Sequence, residues 1–250
     1  MDVEILACLE DNYAYLVRDE AGCAAVVDPG EAGPVLSALA RRGLRLTHVF
    51  ATHHHGDHVG GLPALRAHFP ALRVIAHPRD AAHIGGPVEA LAGDGRFEAL
   101  GLRWRGLHVP GHTLGAVAFW GGDALFSGDT LFRAGCGRLF EGDAAMMHHA
   151  LNATLGEVDD ATRLYPGHEY TVKNLRFAQG LLPDDVDVRE ALREAESWVA
   201  EGRPTVGRPM ALERLTNPFL RSHDARLCGL TETEPGVACF AALRARRDVF

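Results

Sequence analysis

The sequence predicts an α+β fold in which strands dominate before residue 168 and helices after it. Three observations carry this. Short β-prone runs broken by turn residues fill the first two thirds of the chain. From about residue 170 the apolar spacing changes to a helical period. At the end of one predicted strand stands Thr52-His53-His54-His55-Gly56-Asp57-His58, where four histidines and an aspartate fall within six positions. Burying so many polar groups without partners costs several kcal/mol, so this segment reads as a loop that turns its side chains onto a metal.

Taken in order, residues 3–6, 13–17 and 23–27 read as strands separated by turn chemistry at 10–12 and 19–22. Asp28-Pro29-Gly30 ends the third run. Residues 31–42 read as a helix with Val35, Leu36 and Leu39 on one face and Gly43 as its stop. Residues 46–51 form the strand that delivers the histidines. Residues 59–69 read as a helix, with Leu62, Leu65 and Phe69 at helical spacing and Pro70 closing it. Residues 73–76 are a short strand, whereas 77–95 show no pattern that assigns an element. Residues 102–109, 116–120 and 124–127 are strands, and Gly121-Gly122-Asp123 is a tight hairpin turn. Residues 143–155 read as a helix with Asp143 as N-cap. One more strand, 162–165, is cut by Pro166-Gly167. Helices follow at 172–182 and 186–201, then a connector with Pro204 and Pro209 and two short helical stretches. A domain boundary is expected near 168–172.

Composition narrows the function classes. A chain of 250 residues with 47 % hydrophobic and 23 % charged residues has ordinary globular composition. The formal charge of −8, from 25 basic against 33 acidic residues, gives no reason to expect a nucleic-acid partner. Cys8, Cys23, Cys136, Cys228 and Cys239 are odd in number and scattered, which argues for free thiols in a reducing cytoplasm and against a cysteine-based metal site. No apolar run reaches the roughly 18 residues a membrane span needs. The start carries acids where a signal peptide carries bases. The expectation is a cytoplasmic protein with no membrane partner.

The candidate site is built from four pieces. In the histidine loop, alternation lets His53 and His55 share one metal while Asp57 and His58 face a second. Pro110-Gly111-His112-Thr113, Ser127-Gly128-Asp129-Thr130 and Pro166-Gly167-His168-Glu169 each follow a predicted strand. In each, the glycine allows a sharp turn that sets the next side chain at the sheet rim. Together these pieces supply seven ligands, the number that two four-coordinate metals need when one ligand is shared. The donor set is imidazole and carboxylate, which suits zinc, iron or manganese. Asp28 has two readings, a carboxylate behind a ligand histidine or a turn former. The remaining histidines, 48, 54, 68, 77, 83, 108, 148, 149 and 223, read as surface residues or as supports for the ligands.

These residues resemble the metallo-β-lactamase superfamily and, within it, the glyoxalase II (hydroxyacylglutathione hydrolase) family, over essentially the whole chain. The histidine loop, Pro110-Gly111-His112-Thr113 and Ser127-Gly128-Asp129-Thr130 are similar to superfamily motifs. Thr130-Leu131-Phe132-Arg133-Ala134-Gly135-Cys136-Gly137-Arg138, Glu141-Gly142, Tyr165-Pro166-Gly167-His168-Glu169-Tyr170-Thr171 and Asn217-Pro218-Phe219-Leu220-Arg221 carry the narrower likeness. So does the ending from Leu243 to Phe250. The resemblance implies an αββα sandwich at 1–168 and a helical substrate-binding domain at 169–250. It implies one metal on His53, His55 and His112, a second on Asp57, His58 and His168, and Asp129 bridging them and positioning a hydroxide. Arg138, Phe140, Tyr170, Arg244 and Arg247 fall at substrate-binding positions, Arg244 and Arg247 at those of basic residues that hold the glycine carboxylate of glutathione. Gly56 stands where many members carry a larger residue, and Phe140 where some carry a tyrosine.

The implied reaction is hydrolysis of the thioester of an S-(2-hydroxyacyl)glutathione by a metal-bridged hydroxide, in methylglyoxal detoxification. The implied cofactors are two divalent ions, zinc first, with iron or manganese as alternatives. The expected partner is the glutathione thioester alone, bound by a monomer. The rival readings are another hydrolase of the same fold and a glutathione persulfide dioxygenase. The Asp57-His58 pair argues against a β-lactamase, the acidic charge against an RNA-processing nuclease, and the seven ligands with the helical extension against the dioxygenase.

Overall fold

The computed structural model describes residues 1–250. Two compact units form, residues 1–108 with 115–128, and residues 109–114 with 129–250.

In the first unit, β1 (Val3–Cys8), β2 (Asn12–Arg18) and β3 (Cys23–Val27) make an antiparallel meander. The helix α1 (Ala32–Arg42) then crosses over to β4 (Arg45–Phe50), which lies parallel to β3. After α2 (Gly56–Val59) and α3 (Leu62–His68) the chain adds β5 (Arg73–Ala76), parallel to β4. A further short helix, α4 (Pro78–Ile84), leads to the two-residue β6 (Glu89–Ala90). A second, antiparallel sheet follows in β7 (Gly95–Ala99), β8 (Leu102–His108), β9 (Val117–Gly121) and β10 (Ala124–Gly128). Gly121 pairs with Ala124 across a two-residue turn, as the sequence predicts.

Strand alternation decides the layers. Ala14 and Leu16 on β2 face a helix-covered cluster with Val35, Leu39, Leu62 and Leu65. Tyr15 points the other way and meets Phe126 of the second sheet at 5.4 Å between ring centroids. Phe50 sits in the middle of the same interior, 4.9 Å from Trp104 and 5.2 Å from both Phe97 and Phe119. Burying each such ring stabilises the fold by about 1.5–3 kcal/mol, so an aromatic slab holds the two sheets together. A bulge at Thr47 interrupts the alternation of β4. Leu46 and Val49 therefore share the helix-covered face, while His48 and Phe50 share the other.

Two expectations change here. The single helix expected at 59–69 is broken, because the Gly61 amide donates to the Pro29 carbonyl at 2.8 Å instead of continuing the helix. The unassigned stretch 77–95 carries α4, β6 and the start of β7.

The second unit contains the turn at 109–114 and a two-residue hairpin, β11 (Leu131–Phe132) with β12 (Gly135–Cys136). Next comes α5 (Ala144–His149), capped by Asp143, whose carboxylate accepts from the Met146 amide at 2.8 Å. The helix then widens into a π turn (Ala150–Thr154) and tightens into a 3-10 turn (Leu155–Glu157). The strand β13 (Arg163–Pro166) precedes α6 (Thr171–Leu181) and α7 (Val186–Ala200) and pairs with β14 (Arg208–Pro209). Three helices, not two, close the chain: α8 (Met210–Thr216), α9 (Ala225–Thr231) and α10 (Val237–Asp248).

Buried polar groups shape the hairpin. Glu213 is fully buried, accepting from Arg133 Nε at 2.6 Å and from the Ala134 amide at 2.7 Å. Burial pushes its carboxyl above the usual carboxylate range, against the pull of Arg133. Asn217 donates to the Phe132 and Gly135 carbonyls at 3.2 and 3.0 Å. These partners hold Ala134 at φ +52°, a backbone region that non-glycine residues seldom occupy.

Candidate metal centre

In the first unit the site grows from the carboxyl ends of two adjacent parallel strands. Asp28 follows β3 with φ +49°, and Thr52 follows β4. The Asp28 carboxylate accepts from the Thr52 amide at 2.8 Å and the Thr52 hydroxyl at 2.6 Å, and lies 3.0 Å from His58 Nδ1. A carboxylate only accepts, so His58 carries its proton on Nδ1 and turns a lone pair out at Nε2. The Thr52 hydroxyl hydrogen is already given to Asp28. Its oxygen, 3.0 Å from His53 Nδ1, therefore accepts the His53 proton. One buried carboxylate fixes the tautomers of two histidines. Asp28 thus lies directly behind His58 and, through Thr52, behind His53.

The outward atoms of this unit stand close together. His53 Nε2 and His55 Nδ1 are 3.1 Å apart, and His58 Nε2 is 3.5 Å from Asp57 Oδ2. Asn12 holds Asp57 in place, donating to Oδ2 at 2.9 Å. Read from the sequence as turn chemistry, forty positions before the histidine loop, Asn12 carries no signal of that role.

The second unit repeats the device. His112 Nδ1 donates to the Arg138 carbonyl at 2.9 Å, which leaves Nε2 as the lone-pair nitrogen. Asp129 Oδ2 lies 3.5 Å from His112 Nε2 and 3.3 Å from His168 Nε2. The Tyr170 ring stacks on His168 at 4.8 Å and 6°. Phe140 is exposed and lies against His112 at 5.1 Å.

These separations can be tested against a metal. Two donors about 2.0–2.1 Å from one tetrahedral ion stand about 3.4 Å from each other. The four spacings above, 3.1, 3.5, 3.5 and 3.3 Å, match that value. The histidine and aspartate clusters suit metal binding in donor type, protonation and spacing.

Glycines make the approach possible. A Cβ on Gly128, at φ +50°, would stand 2.2 Å from Thr52 Oγ1. One on Gly137 would stand 1.9 Å from the Asp129 carbonyl oxygen. Gly56 is different: a Cβ there meets nothing within 4 Å, so a larger residue fits and the loop does not require glycine.

Family models now identify the chain. The metallo-beta-lactamase superfamily matches residues 9–168, and the hydroxyacylglutathione hydrolase C-terminus matches residues 169–250. The chain belongs to the hydroxyacylglutathione hydrolase family of the metallo-beta-lactamase superfamily. Relatives named hydroxyacylglutathione hydrolase are 48 % identical in Gloeobacter violaceus and 43 % identical in Pseudomonas syringae, each match covering 100 % of both chains. Among solved structures, ETHE1 from Myxococcus xanthus aligns over 100 % of this chain and 99 % of its own, with TM-score 0.67 and 27 % identity. A protein solved in a di-iron-bound form aligns over 88 % of this chain and 100 % of its own, with TM-score 0.62 and 28 % identity. The fold is thus the metallo-β-lactamase fold with the family's C-terminal helical region.

The family's arginine positions differ in their surroundings. Arg138 is exposed. Arg244 is buried and committed to internal acceptors, the Cys136 carbonyl at 2.8 Å and Asp248 at 3.0 Å. Arg247 donates to a neutral acceptor, Asn174 Oδ1, at 3.0 and 3.3 Å. Burial, with Arg244 and Arg138 nearby, pushes the Arg247 pKa below the ordinary arginine value.

Outside the site, His54 turns away from the other ring donors, its Nδ1 3.2 Å from Asp80. His48 and His77 are buried and support no ligand, contrary to the sequence reading. His48 lies between Thr47 Oγ1 at 2.8 Å and Arg73 at 3.0 Å, while His77 caps α4 by accepting from the Arg79 amide.

Proposed function

We propose that this chain hydrolyses the thioester of S-(2-hydroxyacyl)glutathione, such as S-D-lactoylglutathione, to glutathione and a 2-hydroxy acid, as a step of methylglyoxal detoxification. The observation that carries the reading is the family match over the full length, with hydroxyacylglutathione hydrolases at 48 and 43 % identity. The C-terminal match at 169–250 favours this substrate over those of other hydrolases of the fold and over a persulfide dioxygenase reaction. Residues 1–168 serve as the catalytic domain and 169–250 as the helical substrate-binding domain.

His53, His55 and His112 would hold one divalent ion, and Asp57, His58 and His168 a second, with Asp129 shared. The nitrogen and oxygen donors suit zinc, with iron or manganese as alternatives. When bound, such a pair polarises a carbonyl oxygen and lowers the pKa of water toward about 7. The chain's own part is to keep its donors ready. Asp28 and Thr52 hold the protons of His58 and His53 on Nδ1, and the Arg138 carbonyl does the same for His112. Asp129 presents one oxygen toward both His112 and His168. The leaving thiolate has a pKa of about 8.5 and departs with little proton assistance, so no general acid is required. Arg247, with Arg244 beside it on α10, holds the glycine carboxylate of glutathione, which guanidinium groups bind through paired hydrogen bonds, and Arg138 is a further substrate-binding position. Tyr170 and Phe140 offer ring faces beside His168 and His112.

The protein works as a monomer in the cytoplasm. Its five cysteines form no disulfide, and no helix is long and apolar enough to cross a membrane. The deciding experiment assays S-D-lactoylglutathione beside a β-lactam and a lactone, with metal analysis of the same sample and of Asp129→Ala. Thioester turnover with about two metals per chain, both lost in Asp129→Ala, is the expected result. Preference for the lactam or the lactone, or an active and fully loaded Asp129→Ala, overturns the reading.

A further inference from the structure

We propose that Asn174 is a positioning residue for glutathione, a neutral amide that aims the Arg247 guanidinium without cancelling its charge. This rests on the reading of Arg247 as a residue that holds a glutathione carboxylate.

Asn174 lies on α6 and is 3 % exposed. Its two side-chain atoms face different elements. The oxygen accepts from Arg247 Nε at 3.3 Å and Nη2 at 3.0 Å, which fixes two of the guanidinium's nitrogens at once. The nitrogen donates to the Arg133 carbonyl at 3.0 Å, inside the hairpin of β11 and β12. That hairpin presses on the amide, since a Cβ on Gly135 would stand 2.4 Å from Asn174 Nδ2. The same hairpin lies in the segment between Asp129 and Arg138. Asn174 therefore ties a binding arginine to the segment that carries the shared carboxylate.

The chemical type of the residue matters as much as its place. Arg244, three residues from Arg247 on α10, is matched by a carboxylate of its own chain, Asp248. Arg247 is matched by an amide oxygen, and its charge stays available to a ligand anion. An aspartate at 174 would pair with Arg247 internally and compete with the incoming carboxylate. An alanine would free the guanidinium to swing and leave the Arg133 carbonyl without its donor. Only a residue with an acceptor for Arg247, a donor for Arg133 and no charge meets all three conditions.

The test measures binding by calorimetry, using glutathione and glutathione whose glycine carboxylate is amidated. The proteins are the metal-loaded parent, Asn174→Ala, Asn174→Asp, Arg247→Ala and the double variant Asn174→Ala/Arg247→Ala. Asn174→Ala should weaken glutathione binding about tenfold, and the isosteric Asn174→Asp at least as much. Neither should change binding of the amide, and the double variant should bind no worse than Arg247→Ala alone, because the two residues act as one. A loss that persists in the Arg247→Ala background is what a merely structural Asn174 gives, and it overturns the proposal. Silent Asn174 variants beside a weakened Arg247→Ala overturn it too, while leaving the reading of Arg247 intact. A parent that fails to bind glutathione, or an Arg247→Ala that binds it like the parent, removes that reading and this proposal together.

Discussion

Replacing Asp28 by asparagine changes no volume and one charge, and it tests how the candidate metal centre keeps its histidines ready. The carboxylate accepts at three places: the Thr52 amide, the Thr52 hydroxyl and His58 Nδ1. In Asp28→Asn the amide oxygen can still serve the Thr52 amide. The amide nitrogen then faces His58 Nδ1, and two N–H groups cannot share one hydrogen bond. His58 must move its proton to Nε2, where a metal needs the lone pair. Losing a hydrogen bond to a charged group costs about 1.5–3 kcal/mol. Losing a group that orients a metal ligand weakens metal affinity about 10–100-fold, which converts to about 1.4–2.7 kcal/mol. The two estimates agree, so the variant should fold but bind metal one to two decades more weakly. Chelator competition against parent and variant measures this, with urea unfolding of the metal-free chains as the control. Metal affinity within about twofold of the parent, in a variant shown to fold, would refute the tautomer argument.

Three further outcomes are expected. Gly128→Ala forces a Cβ to 2.2 Å from Thr52 Oγ1 at φ +50°, so urea unfolding should show a loss of about 1–3 kcal/mol, and a change under about 0.5 kcal/mol contradicts the close approach. Burial first, then His108 and Arg79, push His77 from its ordinary 6.5 down to about 4. The unfolded chain then takes up a proton that the folded chain refuses, so stability present above pH 6.5 falls as the pH drops toward 4. His77→Asn keeps an acceptor for the Arg79 amide and should flatten that slope; an unchanged slope assigns it to another group. Arg247→Ala should raise KM by about tenfold or more with a smaller effect on kcat, since it removes binding remote from the reacting bond; initial-rate kinetics with an unchanged KM would argue against its role.

The sequence by itself offered the candidate donors and the order in which they come. Each follows a β-prone run and a glycine or turn, and such local patterns survive without knowledge of the fold. Strands near 3–8, 12–18, 23–27 and 73–76 and the long helices α6 and α7 were legible for the same reason, because period and punctuation are properties of neighbouring residues. The tertiary structure decided what lies across long chain separations. The bulge at Thr47 depends on pairing with β3. The hairpin at 131–136 has too little local pattern to be read and is held by Glu213, 80 positions away from Arg133. The protonation of His53 and His58 depends on an aspartate 30 positions before His58. Which residues can bind a metal is written in their side chains; which nitrogen carries the proton is set by whatever acceptor the fold brings to the other side of the ring.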